Sequence, residues 1–411
     1  MFDWLQRPLR RAVGGPTSVP RLRHEIRELE ARLGEAVVRA DRAAADRDRI
    51  AAERDAARER YHAGLAGLAG GGFSDAALFE SLRAAGVPAA PDDRVILHVG
   101  FAHSATTSLQ YEFFGARDDV FYTGLPYAEA GGFFSHLKFT DDHLLDPAEM
   151  LRLCRDTVYA HPARRGRPVV VSDEMLTEPP EVYYHPHLLP GAQVAARLKR
   201  FFPAARVVFT FRRQPEYVES MYFNLKRNHA YLAGMPVPPF HEWWDGVTRT
   251  QVRGPYLLNL DYAPLVRVYA DLFGPENVLV LPLEELKARG TAAYLGRLCD
   301  FLGLPLRPAD VARFRRPRNE RMTVVEARVA DLIAARHEAA GVRRAVGNEH
   351  LAGLAGDAAR VSVRLGDDVL AEIARAVADG NRWLADAFGL PLAEWGYAVA
   401  PPDATGARAA A

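Results

Sequence analysis

The stretch from Arg94 to Gln110, RVILHVGFAHSATTSLQ, limits the fold more than any other part of the chain. An apolar run, Val95, Ile96, Leu97 and Val99, reaches Gly100 and passes into a loop of small and hydroxyl residues. Thr106-Thr107-Ser108-Leu109-Gln110 then reads as the opening of a helix. A loop between strand and helix suits an anion, because unpaired N–H groups and the helix dipole both favour negative charge there. Ser104, Thr106, Thr107 and Ser108 bring hydroxyl donors to it. The other reading is a tight turn with no ligand.

Two further runs reach similar ends. Val169-Val170-Val171-Ser172 is continuously apolar and β-branched, as in a parallel strand buried on both faces, and it is followed by Asp173 and Glu174. Arg206 to Phe211 is a second such run, followed by Arg212 and Arg213, with Ser220 eight residues beyond Arg212. Ligands of open α/β sheets bind beyond the carboxyl ends of the strands, so these positions are informative. A carboxylate there suits a general base, and Glu174 is the first candidate and Asp173 the second; either could instead cap the next helix. A guanidinium such as that of Arg212 is a permanently charged, bidentate partner for phosphate. A Walker A loop would end in Gly-Lys-Ser/Thr. Ala105-Thr106-Thr107 stands in that place, which argues against a nucleotide triphosphatase or kinase.

These motifs together resemble the sulfotransferase family. Its bacterial members carry a phosphosulfate loop of the form H-x-G-x-x-K-S/T-G/A-T-T-x-L-Q, matched here at His98, Gly100, Ser104, Ala105, Thr106, Thr107, Leu109 and Gln110. The departure is His103, an imidazole where the family has a lysine that bonds the sulfate donor. The arginine at a strand end with a serine eight residues on, Arg212 and Ser220, resembles the family's 3′-phosphate motif. The likeness runs over roughly residues 92–320 and includes a basic stretch, RFRRPRNERMT, in which Arg316 and Arg318 take the place of a loop that closes over the nucleotide. It implies an α/β fold with a central parallel sheet flanked by helices, and 3′-phosphoadenosine 5′-phosphosulfate (PAPS) as co-substrate. It also implies a hydroxyl or amine acceptor, with a carbohydrate as the family-level choice, and no metal. By this resemblance Gly100, His103 to Ser108, Arg212, Ser220, Arg316 and Arg318 hold the donor, while Glu174, His103 and Asp173 serve catalysis. The missing lysine leaves a second reading, a weak or inactive binding subunit of a polysaccharide assembly. Phe240, Trp243 and Trp244 fall where an acceptor cleft is expected, though a Trp pair also suits a core.

The remainder of the 411 residues reads as appendages to a domain over 92–400. Residues 1–20 form a basic leader, whose first 13 residues carry Phe2, Leu5, Leu9 and Val13 beside Arg7, Arg10 and Arg11; this suits contact with a membrane surface or a frayed end. Leu22, Ile26, Leu29, Leu33, Ala36, Ala40 and Ala43 alternate steps of four and three, the seam of a coiled coil over 21–62 and a route to a homo-oligomer through residues 21–61; a solvated lone helix is the alternative. A glycine-rich linker with a short helix spans 63–91, and a small-residue tail, 401–411, reads as disordered. Lys plus Arg equals Asp plus Glu at 52 each, so nothing pulls the chain toward nucleic acid in general and anion binding is local. Only two cysteines, Cys154 and Cys299, fit a cytoplasmic protein, membrane-associated if the leader binds.

Overall fold

The apolar runs pair into one sheet because a buried strand must satisfy its backbone N–H and C=O groups against neighbouring strands. The computed structural model describes residues 95–124, 131–140, 144, 146–177, 190–228, 237–249, 260–314 and 363–400. The segments expected over 1–91 and from 401, and the basic stretch with Arg316 and Arg318, lie outside the described residues.

In chain order the elements begin with β1 (Val95–His98), α1 (Thr106–Ser108, extended in π-helical form over Leu109–Phe114), β2 (Phe121–Gly124), α2 (Gly131–Phe139), α3 (Pro147–Cys154) and β3 (Val169–Ser172). They continue with α4 (Gly191–Phe201), β4 (Arg206–Phe211), α5 (Gln214–Asn228), α6 (Phe240–Arg249) and α7 (Ala263–Phe273). The last are β5 (Val278–Pro282), α8 (Leu283–Leu302, broken at Gly290), α9 (Pro308–Phe314) and α10 (Asp367–Phe388). Pro147 opens α3, where a first-turn N–H has no helical partner to lose.

All five strands are parallel, in the order β2-β3-β1-β4-β5. The fold is therefore α/β with a central parallel sheet flanked by helices. The chain leaves β1 for β2 on one side and later returns to β4 on the other, so the order reverses between β1 and β4. A crevice at the carboxyl edge opens at such a switch point. One face of the sheet, with Ile96, Val170, Val208 and Leu279, packs against Leu109, Phe113, Phe114, Tyr294, Leu298 and Phe314 from α1, α8 and α9. On the opposite face Phe209 meets Tyr269 of α7 edge-on, with centroids 5.0 Å apart. Among the described residues, no helix is long and apolar enough to cross a membrane.

His98 ends the central strand and ties its neighbours together. Its Nδ1 lies 2.6 Å from Ser172 Oγ on β3 and its Nε2 3.3 Å from Thr210 Oγ1 on β4. The ring is 1% exposed, and burial pushes its pKa down to about 3. A buried, neutral imidazole thus serves as a polar crosslink at the sheet centre.

Because native His98 stays neutral while the unfolded chain takes up a proton below pH ~6.5, its stabilising contribution is complete above that pH and is lost as pH falls toward 3. Lowering the pH from 6.5 to 5 should remove about 2 kcal/mol through this group. Urea unfolding across that window should show a flatter pH dependence for His98→Asn than for the wild type; equal slopes would contradict the assignment.

Candidate functional site

Beyond β1 the loop remains zipped to β4. Val99 N–H donates to Val208 O at 3.0 Å and Phe101 N–H to Thr210 O at 2.8 Å. Gly100 permits this approach, because a Cβ there would lie 1.8 Å from Thr210 Oγ1 and 2.9 Å from the Thr210 backbone nitrogen. The Ser104 hydroxyl turns inward, donating to the Phe101 carbonyl and lying 3.0 Å from Thr210 Oγ1. It shapes the loop from within and is fully buried.

His103 and Ala105 on either side of Ser104 have φ of 60° and 67°. A non-glycine residue in this left-handed region costs roughly 1–2 kcal/mol, and two so close together mark a loop held in an imposed shape. Ala105 is the N-cap of α1, and no side chain caps it. The N–H groups of a helix's first turn point toward the loop that precedes it, and here that turn begins at Thr106. Thr106 is buried, whereas Thr107, Ser108 and His103 are half-buried.

The two acids after β3 have different surroundings. Asp173 is fully buried: Lys138 Nζ, from α2, bonds its Oδ2 at 2.6 Å, and Met175 N–H donates to its Oδ1 at 2.9 Å. It thus anchors α2 and caps the turn Glu174–Thr177. Glu174 is half-buried and accepts a 2.8 Å hydrogen bond from Gln110 Nε2, on the π-helical extension of α1. Burial first, and the neighbouring Asp173 carboxylate second, hold the Glu174 carboxyl above its usual range, while Gln110 and nearby His103 pull the other way. A carboxylate with a raised pKa is a better proton acceptor near neutral pH.

At the end of β4, Arg212 Nη1 donates to Ser220 Oγ at 2.7 Å and to the His103 carbonyl at 3.2 Å. One guanidinium therefore touches both the loop after β1 and the helix after β4, across the switch point. Arg213 turns away to an ion pair with Glu216 on the same helix.

The sheet thus brings Gly100, His103, Arg212, Ser220 and Glu174 to its carboxyl edge. Trp243 and Trp244 are instead core: they are 6% and 3% exposed, pack against Phe240, and the Trp244 indole donates to Glu372 of α10. His136 bonds Thr140 within its own segment, and His185 and His187 lie outside the described residues. Sequence reasoning gave no role to Lys138, since nothing near it in the chain points to Asp173. Gln110 was legible only as a match in the loop motif; its place one helical turn beyond Thr106, facing β3, came with the π-helical winding.

Fold and site define a parallel α/β protein in which a strained small-residue loop, a guanidinium and a half-buried carboxylate meet at one switch point. The chain matches no protein-family description and no curated protein. Among solved structures it is similar to a sulfotransferase from Alicyclobacillus acidocaldarius, at 18% identity over 75% of this chain and 99% of that one, with a TM-score of 0.43. A mouse sulfotransferase complexed with PAP is similar at 14% identity over 76% and 87%, with a TM-score of 0.32. The sulfotransferase domain from the curacin biosynthetic pathway is similar at 14% identity over 64% and 98%, with a TM-score of 0.33. Among the described residues no group of three or more His, Cys, Asp or Glu side chains is arranged to hold a metal ion.

Replacing Gln110 by Met removes its side-chain hydrogen bond to Glu174 and should move the Glu174 titration to higher pH, as read by carboxyl-carbon NMR. An unmoved or lowered titration would show that the Gln110 hydrogen bond does not govern this carboxylate.

Proposed function

We propose that this chain is a sulfotransferase that moves a sulfuryl group from PAPS to a hydroxyl or amine of an acceptor, a carbohydrate hydroxyl being the preferred class. The observation that carries the reading is the Arg212 guanidinium, bonded at once to Ser220 and to the backbone of the loop at His103. Two anionic ends of one nucleotide are suited to two such adjoining donor sets.

The residues present fit that co-substrate. The backbone of the loop from Gly100 to Ser108, with His103, Thr106 and Thr107, faces the 5′ side, and Ser104 keeps the loop in shape. Arg212 and Ser220 take the 3′-phosphate, and Arg316 and Arg318 are proposed to add to it. Bound there, the donor supplies a sulfuryl group activated by its phosphate leaving group. Glu174 takes the proton of the attacking group, which makes that group a stronger nucleophile. Fixed N–H groups and the His103 imidazole face the oxygens on which charge grows, where preorganised donors act most strongly. Asp173, held by Lys138, supports Glu174 from behind. The same reading takes residues 21–61 as an oligomerising coiled coil and residues 1–13 as a contact for a membrane surface.

Calorimetry with 3′-phosphoadenosine 5′-phosphate should give binding to the wild type that falls about 10- to 100-fold in Arg212→Ala, the loss expected of a hydrogen bond to a charged group. No binding by the folded wild type would overturn the proposal. With PAPS and a panel of carbohydrate acceptors, Glu174→Gln should lower kcat by ~10²–10⁴-fold and abolish the rise in rate with pH that titration of Glu174 produces. Nucleotide binding with no turnover on any acceptor would instead identify the chain as the binding subunit that the loss of the loop lysine at His103 suggests.

A further inference from the structure

The turn that carries Arg212 is gripped at three successive residues, and much of the grip comes from far along the chain. Tyr262 Oη, just ahead of α7, donates to the Arg212 carbonyl at 3.0 Å. The Arg213 N–H donates to Glu284 Oε2 at 3.2 Å, and the Tyr397 hydroxyl donates to the same oxygen. The Gln214 side-chain amide donates to Asn381 Oδ1 at 2.9 Å, and Asn381 Nδ2 returns a bond to Gln214 Oε1 at 3.3 Å. Asn381 Nδ2 also donates to the Ala398 carbonyl at 2.9 Å, which fastens the chain beyond α10 to the same knot.

These groups are deeply buried. Asn381 is 0% exposed, Gln214 1%, Tyr397 4% and Glu284 5%. An apolar contact would hold α10 against α5 and α7 equally well; a saturated polar network specifies one arrangement of the groups it joins, because any other leaves a buried donor or acceptor unpaired. The Tyr397 ring also stands edge-on to Phe211, the last residue of β4, with centroids 5.6 Å apart. Both ring and hydroxyl thus bear on the two residues that flank Arg212.

We propose that residues 367–400 are a positioning element for the 3′-phosphate clamp, in which Asn381 and Tyr397 fix the turn from which Arg212 reaches its anion. This inference rests on the reading of Arg212 and Ser220 as that clamp. A charged fork must be held within about half an ångström to keep its geometry, and the strand end alone leaves the turn free to shift. Asn381 and Tyr397 are positioning residues, since each acts through the backbone or side chain of the turn.

The test compares 3′-phosphoadenosine 5′-phosphate with adenosine 5′-phosphate, which lacks the 3′-phosphate, by calorimetry on the full chain. Tyr397→Phe, which keeps the ring, should leave affinity for adenosine 5′-phosphate within about twofold and cut the advantage of the 3′-phosphorylated nucleotide by about five- to tenfold. Asn381→Ala should act in the same direction and more strongly. Equal weakening of both nucleotides in Tyr397→Phe and Asn381→Ala would show a merely structural role and overturn the inference. So would an unchanged advantage in variants alongside an Arg212→Ala that loses it. A wild type with no preference for the 3′-phosphate would overturn the clamp itself, and the proposed function with it.

Discussion

The close approach of the loop after β1 to the backbone of β4 is the constraint on which the rest of the structure depends. Gly100 leaves room for Thr210, and Thr210 in turn meets both His98 and Ser104. With His98 also on Ser172, a continuous polar path runs from β3 through β1 to β4 and into the loop. Each member is buried, so each must keep its partner or leave an unpaired group in a low-dielectric interior. The path therefore sets where the loop begins and how closely it lies to the end of β4. Were the loop to stand farther off, Arg212 could not reach both Ser220 and the His103 carbonyl.

Charge is used locally. A chain with equal numbers of acidic and basic side chains has no long-range field to draw in an anion, so attraction must come from the few groups at the switch point. On the proposed function, Arg212 and the backbone of the loop at His103 supply it. The acids nearby are kept from cancelling them: Asp173 is matched by Lys138 behind the site, and Glu174 is drawn toward Gln110. The buried acids Asp310 and Glu285 are likewise paired, with Arg117 and Arg297. The strain at His103 and Ala105 falls in the loop to which the proposed function assigns an anion, where preorganised partners would make use of it.

The runs at Val169 and Arg206 were legible as strands buried on both faces and that at Val95 as a strand entering a loop, while the α/β fold with a parallel sheet came from the resemblance of the motifs at their ends to the sulfotransferase family. The residues at their carboxyl ends were legible as candidates because chemistry at that edge follows from the topology of parallel sheets. The sequence put the Ser104 hydroxyl among the donors to an anion and left the Trp pair between cleft and core, since a hydroxyl in a loop or an indole in a helix carries no mark of which way it faces. Burial decided both: Ser104 closes on Phe101 and Thr210, and Trp243 and Trp244 pack into the interior.

What the sequence by itself determined is local: the period of each element, the glycine at Gly100, the spacing from Arg212 to Ser220, and the types of group available at each strand end. Periodicity, propensity and spacing are properties of neighbours along the chain, and they survive without any tertiary information. Only the tertiary structure decided which of those groups meet. Gln110 with Glu174, Lys138 with Asp173, and Asn381 with Gln214 join residues 64, 35 and 167 positions apart. Their pairing is selected by the packing of the sheet and its helices, where a buried polar group without a partner is too costly to keep.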